Sequence, residues 1–146
     1  MHWKKLLLMA IASFAAMYAL MYMMVDRYGD VYANLNQLYM TLVMTAAMVL
    51  IEVAIMGPMY AKKVVAIAII LSAIVGSASW YFLRNQTAIT DKQFLESMIP
   101  HHGAALLMCK QNTSLQDPEI MTLCEGIIAN QQSEIDWMQK KLATFN

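Results

Sequence analysis

Three long apolar runs, from about Leu6 to Val25, Leu38 to Met59 and Val64 to Leu83, precede a tail in which apolar and polar residues recur at helical spacing. An α-helix needs roughly 20 apolar residues to cross a hydrocarbon core about 30 Å thick, so each run predicts a membrane span. The apolar core of the first is too long for a cleaved leader, and Met21-Tyr22-Met23-Met24-Val25-Asp26 offers no small-residue cleavage site. Tyr18, Tyr22, Tyr39, Tyr60, Trp80 and Tyr81 lie near the segment ends, where aromatic rings sit at headgroup level.

Beyond Thr87 the pattern predicts two helices joined by the polar loop Gln111–Gln116. Thr90 can cap the first, with Asp91 in its opening turn at the positive end of the helix dipole. Asp117-Pro118-Glu119 places a capping carboxylate, an N1 proline and an early acid at the start of the second, which can run to about Ala143. At about 100° per residue, Asp91, Phe94, Met98, His101, His102, Ala105, Met108 and Cys109 share a face of the first helix. On the second, Ile120, Met121, Cys124, Ile127, Ile128, Gln131, Glu134, Ile135, Met138 and Leu142 form the matching stripe. Two short helices bury little surface, so the hairpin is expected to pair with another copy into a four-helix bundle. The expected fold is an all-α membrane protein: a three-span transmembrane domain over residues 1–86, then an extracytoplasmic helical-hairpin domain over 87–146.

Pro100 falls inside the first tail helix, where it removes a backbone donor and leaves the Glu96 carbonyl short of its partner. A kink is expected there, read either as a tolerated bend or as one that aims side chains.

Composition agrees with the spans, since 60% of residues are hydrophobic and 14% charged, far from the usual soluble balance. Lys4 and Lys5 precede span one, and Lys62 and Lys63 fill the turn between spans two and three. Positive charge stays inside, which predicts a cytoplasmic N-terminus and puts the hairpin outside. In a bacterium that means the inner membrane and the periplasm. From Thr87 onward four Lys face seven Asp and Glu, and without a basic stripe nucleic-acid binding is not expected. The partners expected are the lipid bilayer and a second copy of the chain. The sequence names no metal-delivery partner.

The chemistry is carried by Met98-Ile99-Pro100-His101-His102, with Met108 behind it. Thioether sulfur and imidazole nitrogen are a soft donor set that favours Cu(I) over oxygen-seeking cations. Fifteen methionines in 146 residues add little by themselves, because Met also packs apolar helices. His101 and His102 point about 100° apart and do not readily share one ion, whereas Met98 and His102 at i, i+4 can. His101 would instead meet Glu134 or Gln131. Cys109 and Cys124 are either a structural disulfide or buried thiols, or else, with Met121, a second soft site. Inside the spans Glu52 shares a face with Met44, Met48, Met56 and Met59. An intramembrane carboxyl is a functional candidate, although a hydrogen-bonded group joining helices is the simpler account.

The segments Asp91-Lys92-Gln93-Phe94, Met98-Ile99-Pro100-His101-His102 and Gln131-Gln132-Ser133-Glu134-Ile135-Asp136-Trp137-Met138 resemble the domain of unknown function 305 family over about Thr87 to Leu142. The three-span front, including Arg27-Tyr28 and Gly57-Pro58-Met59-Tyr60, resembles its membrane-anchored members. The resemblance implies a ferritin-like four-helix architecture and, in some members, periplasmic binding of copper or silver. Carried over by position, it implies Met98, His101, His102, Met108 and Met138 as ligands, with Asp91, Gln131 and Glu134 as polar neighbours.

Ferritin-like oxidase chemistry needs a Glu-x-x-His pair on facing helices, but Trp137 stands three places after Glu134. The chain is therefore expected not to be an enzyme. The reading favoured is a membrane-anchored protein that binds Cu(I) or Ag(I) for sequestration or handover. The competing one is a structural oligomerisation module with no bound metal.

Overall fold

The computed structural model describes residues 2–145. Among the described residues it contains no strand and five α-helices: α1 (His2–Leu20), α2 (Leu35–Met56), α3 (Lys62–Arg84), α4 (Asp91–Gln111) and α5 (Pro118–Leu142). The chain divides into two compact units, one of Met1–Met21 with Asn36–Ala88 and one of Tyr22–Leu35 with Ile89–Asn146.

Three helical segments, Trp3–Met24, Leu35–Met59 and Lys62–Arg84 counted with their flanking turns, are long and apolar enough to cross a membrane, and all but their residues 22–24 and 35 lie in the first unit. Their ends tighten into 3-10 turns at Met21–Met24 and Gly57–Met59, the second around Pro58, which cannot donate to a helical ladder. Leu6, Val53 and Ala68 form a small core that draws in one residue from each helix, with Val49, Tyr60 and Val64 packed around it. A methyl group on Gly76 would stand 3.1 Å from the Ala46 Cβ, so the missing side chain lets α2 and α3 approach closely. Hydroxyls on α2 are satisfied locally: Thr41 donates to the Gln37 carbonyl and Thr45 to that of Thr41, both at 2.8 Å. Back-bonding of this kind suits a setting without water. After α3 the chain reverses through left-handed Gln86 (φ 50°) and Ala88 (φ 61°). The Gln86 side chain is held there by a reciprocal amide pair with Asn36, both bonds 3.1 Å.

The second unit is built on the α4–α5 hairpin, and both helices start where capping chemistry predicts. The Thr90 hydroxyl accepts from the Gln93 N–H, and the Asp117 carboxylate accepts from the N–H groups of Glu119 and Ile120. Leu95, Ile99 and Leu106 from α4 meet Ile135, Met138 and Leu142 from α5 in one buried cluster, flanked by Tyr32, Met98 and Ile128. The buried stripe on α4 is thus centred on Leu95, Ile99 and Leu106. Phe94, His101 and Met108, expected on it, are exposed.

Residues 22–35, placed with the spans on sequence grounds, lie in this unit as a strap across the hairpin. Lys110 Nζ meets Asp26 Oδ2 at 2.6 Å, and Gln139 Nε2 donates to Asp30 Oδ1 at 2.6 Å. The Leu35 N–H donates to Gln93 Oε1 at 2.8 Å, and the Tyr22 hydroxyl to the Tyr32 carbonyl at 2.7 Å. A methyl on Gly103 would come 3.2 Å from Val25 Cγ1, so this glycine admits the strap to the helix surface. Asp30 is buried, which raises its carboxyl above the usual range, with nearby Arg27 opposing the shift.

Pro100 is buried within an unbroken helical segment. The Glu96 carbonyl, which Pro100 cannot reach with a hydrogen bond, instead accepts from Asn34 Nδ2 on the strap at 3.4 Å. The strap therefore answers the backbone defect that the proline creates.

Candidate soft-metal centre

α4 projects Met98 and His102 one turn apart along the flank of the buried cluster. Met98 packs against that cluster, and Met138 is a member of it at 5% exposure. The His102 side chain is 13% exposed, and its Nδ1 stands 3.0 Å from Glu134 Oε2 on α5. The approach falls outside hydrogen-bond alignment, so this buried nitrogen has no hydrogen-bond partner, and neither does buried Gln131 Oε1. It is thus His102, rather than His101, that meets Glu134. His101 is exposed, its ring centroid 6.2 Å from that of His102.

Burial holds the His102 imidazole below its ordinary range; Glu134 pulls the other way, and His101 lowers it further. A histidine held neutral can offer a ring nitrogen lone pair without first losing a proton. Behind metal-bound histidines the other ring N–H commonly donates to a carboxylate; here Nδ1 faces Glu134 Oε2 at 3.0 Å without that hydrogen bond. With Nδ1 turned to Glu134, Nε2 is the ring nitrogen that does not face the carboxylate.

The other expected residues divide clearly. Met108 is 60% exposed and Asp91 is exposed, so neither lies in the buried cluster that holds Met138 and carries Met98 on its flank. Cys109 and Cys124 are joined as a disulfide with Cα atoms 5.3 Å apart. Their sulfurs are bonded to each other, so the alternative soft site with Met121, itself exposed, is not formed in this state. Among the described residues no three His, Cys, Asp or Glu side chains are grouped as a metal-binding set. The donors that remain are two thioethers and one imidazole, which suits a soft ion. Glu52 accepts a hydrogen bond from the Tyr60 hydroxyl at 2.9 Å. Met44 and Met59, expected on its face, are exposed.

No ligand or capping motif in the sequence marks the packing of the strap beside these residues. Tyr32 packs on the same cluster as Met98, and Asn34 bonds to the α4 backbone beside it. The available signal was Gly103, a glycine inside a helix with no capping role, which commonly marks a close backbone approach.

The model of the family described as Domain of unknown function (DUF305) matches residues 78–142. The chain is also similar to Uncharacterized protein L153 of Acanthamoeba polyphaga mimivirus, 36% identical over 143 residues and covering 94% of this chain and 90% of that one. No solved structure matches it. The family match covers both tail helices, and the relative extends the similarity through the apolar helices. The chain belongs to the family described as Domain of unknown function (DUF305).

Proposed function

We propose that this protein is a membrane-anchored binding module for Cu(I), with Ag(I) as an alternative ion, which it sequesters or hands on without catalysis. The observation that carries the reading is His102, 13% exposed with Nδ1 3.0 Å from Glu134 and one helical turn from Met98, which packs on the cluster that contains Met138. Met98, Met138 and His102 Nε2 would hold the ion, and the surrounding hydrocarbon would keep out water. The metal would supply only its own soft acidity. The chain's part is to keep His102 unprotonated and the thioethers dry. The three apolar helices would span the membrane with the lysine pairs inside, leaving the hairpin on the outer side.

Competition titration of the full chain in detergent with a chromogenic Cu(I) chelator tests this. One ion per chain is expected, with affinity falling about tenfold or more for Met98→Leu, Met138→Leu and His102→Gln, since even partners behind a ligand cost 10–100-fold. Met108→Leu and His101→Gln are expected to change nothing. Protonation of His102 competes with the metal, and its lowered pKa moves that competition to more acid pH. Affinity should therefore hold at pH 6.5, the ordinary imidazole midpoint, and fall only below it. No stoichiometric binding, or equal loss from Met108→Leu, would overturn the assignment.

A second reading concerns assembly. Phe94, Met108, Ile120, Met121, Leu123 and Trp137 leave large apolar surfaces exposed on the hairpin. Such surfaces on a two-helix unit favour pairing with a second copy into a ferritin-like four-helix bundle. Wild-type chain is expected to sediment as a dimer or larger in detergent, and Leu123→Glu with Trp137→Glu to sediment as a monomer. A wild-type monomer would remove this reading and leave the metal proposal standing.

A further inference from the structure

The first unit contains a second candidate site. A groove of about 450 Å³, lined almost wholly by apolar atoms, lies among α1, α2 and α3. It runs from Trp3 and Val64 at one end to Leu42 and Val75 at the other, with Ala10 and Ser72 along its walls. Eleven residues separate Val64 from Val75, and at a rise of 1.5 Å per residue that is about 16 Å. The depth is close to half of a hydrocarbon core about 30 Å thick, so the groove reaches through one leaflet.

The mouth is charged. α1 and α3 run parallel, which places Lys4 and Lys5 at the same end as Lys62 and Lys63. All four are exposed, and among the described residues none forms an ion pair. Lys4 Nζ lies 5.8 Å from the centroid of the Trp3 ring that borders the groove. An amphipathic ring beside ammonium groups matches the headgroup level of a bilayer. A one-leaflet apolar groove ending in four unpaired positive charges is complementary to a lipid with an anionic headgroup.

We propose that this groove seats one acyl chain of an anionic phospholipid, whose phosphate lies among Lys4, Lys5, Lys62 and Lys63. The site is specific for headgroup charge and indifferent to headgroup identity, because flexible lysines act as point charges. It rests on the three helices spanning a bilayer, which is checked separately by resistance of the full chain to carbonate extraction.

The full chain is reconstituted in mixed phosphatidylcholine and phosphatidylglycerol vesicles, then extracted and examined by native mass spectrometry for retained lipid. One phosphatidylglycerol per chain is expected in preference to phosphatidylcholine. Lys62→Gln and Lys63→Gln should each lower that preference about fivefold, while Lys140→Gln with Lys141→Gln leaves it unchanged. Ala10→Phe, which fills the groove without touching the lysines, should abolish retention of either lipid. Retention that survives Ala10→Phe would mean surface attraction alone and overturn the site. So would a shift from dimer to monomer in Ala10→Phe with lipid preference intact, because the groove would then hold a helix of a second copy. Extraction by carbonate would overturn both the spans and the site. Carbonate resistance without retained phosphatidylglycerol would overturn the lipid site alone.

Discussion

Reduction of the Cys109–Cys124 disulfide, or replacement of both cysteines by serine, is expected to destabilise the hairpin by about 3 kcal/mol, the chain-entropy value for a closed loop of about 15 residues. The bridge spans a sequence separation of 15 and includes the whole turn between α4 and α5. Its position makes the effect large. The buried cluster runs along α4 from Leu95 through Ile99 to Leu106, with Ile135, Met138 and Leu142 from α5, and stops one turn short of Cys109. Near the turn, Met108, Ile120, Met121 and Leu123 are exposed and supply little packing. The disulfide therefore closes the hairpin where its core ends. Thermal denaturation of the full chain in detergent, with and without dithiothreitol, reads the effect as a Tm drop on the order of 10 °C or more. The serine variant should match the reduced wild type and be insensitive to reductant. Equal Tm values for oxidised and reduced protein would show that the turn end holds without its bridge. The proposed Cu(I) site is a separate readout: His102 precedes Cys109 by seven residues, about 10 Å along the helix. Cu(I) affinity at low temperature should thus change little on reduction.

The helices were readable because each carries its own local signals. Thr90, Asp117 and Pro118 mark starts that depend only on the next three residues, and both caps form as the side-chain chemistry requires. The apolar runs mark three helices whose bounds shift by a few residues, as expected when ends tighten into 3-10 turns. The phase of α4 was harder. Its apolar and ligand-bearing residues occupy two adjoining stripes, and the one through Phe94, His101 and Met108 is displaced from the one through Leu95, Ile99 and Leu106. Only the facing residues of α5 decide between them, and Ile135 and Met138 select the second. The strap was not readable at all. Asp26, Asp30 and Asn34 look like solvated loop residues until Lys110, Gln139 and the unpartnered Glu96 carbonyl are brought to them from more than 60 positions away. The same long-range placement decides the candidate ligands. Spacing put Met98 and His102 on one face, but only the fold turns His102 to Glu134 and leaves His101 in solvent.

Ile99→Ala is expected to cost 2–5 kcal/mol, the usual range for emptying a buried aliphatic position. Ile99 is 0% exposed and lies in a cluster of only six buried side chains, so few neighbours can move in to refill the space. Against a total stability of about 5–15 kcal/mol for an ordinary domain, the loss is large enough to populate open hairpins. Glu125→Ala, at an exposed position of α5 outside those apolar surfaces, should stay within about 0.5 kcal/mol. Hydrogen exchange of the α4 and α5 amides in the full chain distinguishes the two. Ile99 neighbours Met98 and supplies no ligand atom itself, so this variant also links fold to proposed function. An ion that binds only the folded hairpin stabilises it by about 2.7 kcal/mol at a free concentration 100 times its Kd. Cu(I) should therefore restore much of the protection lost in Ile99→Ala. In a chain that also carries His102→Gln, Ile99→Ala should gain little from the same free Cu(I), because the weakened site is far from saturated there. Equal rescue with and without His102 would mean that the ion acts elsewhere on the protein. Absence of rescue in either background would show that the thioether and imidazole groups of the hairpin are packing residues, and that the cluster around Ile99 serves assembly rather than metal.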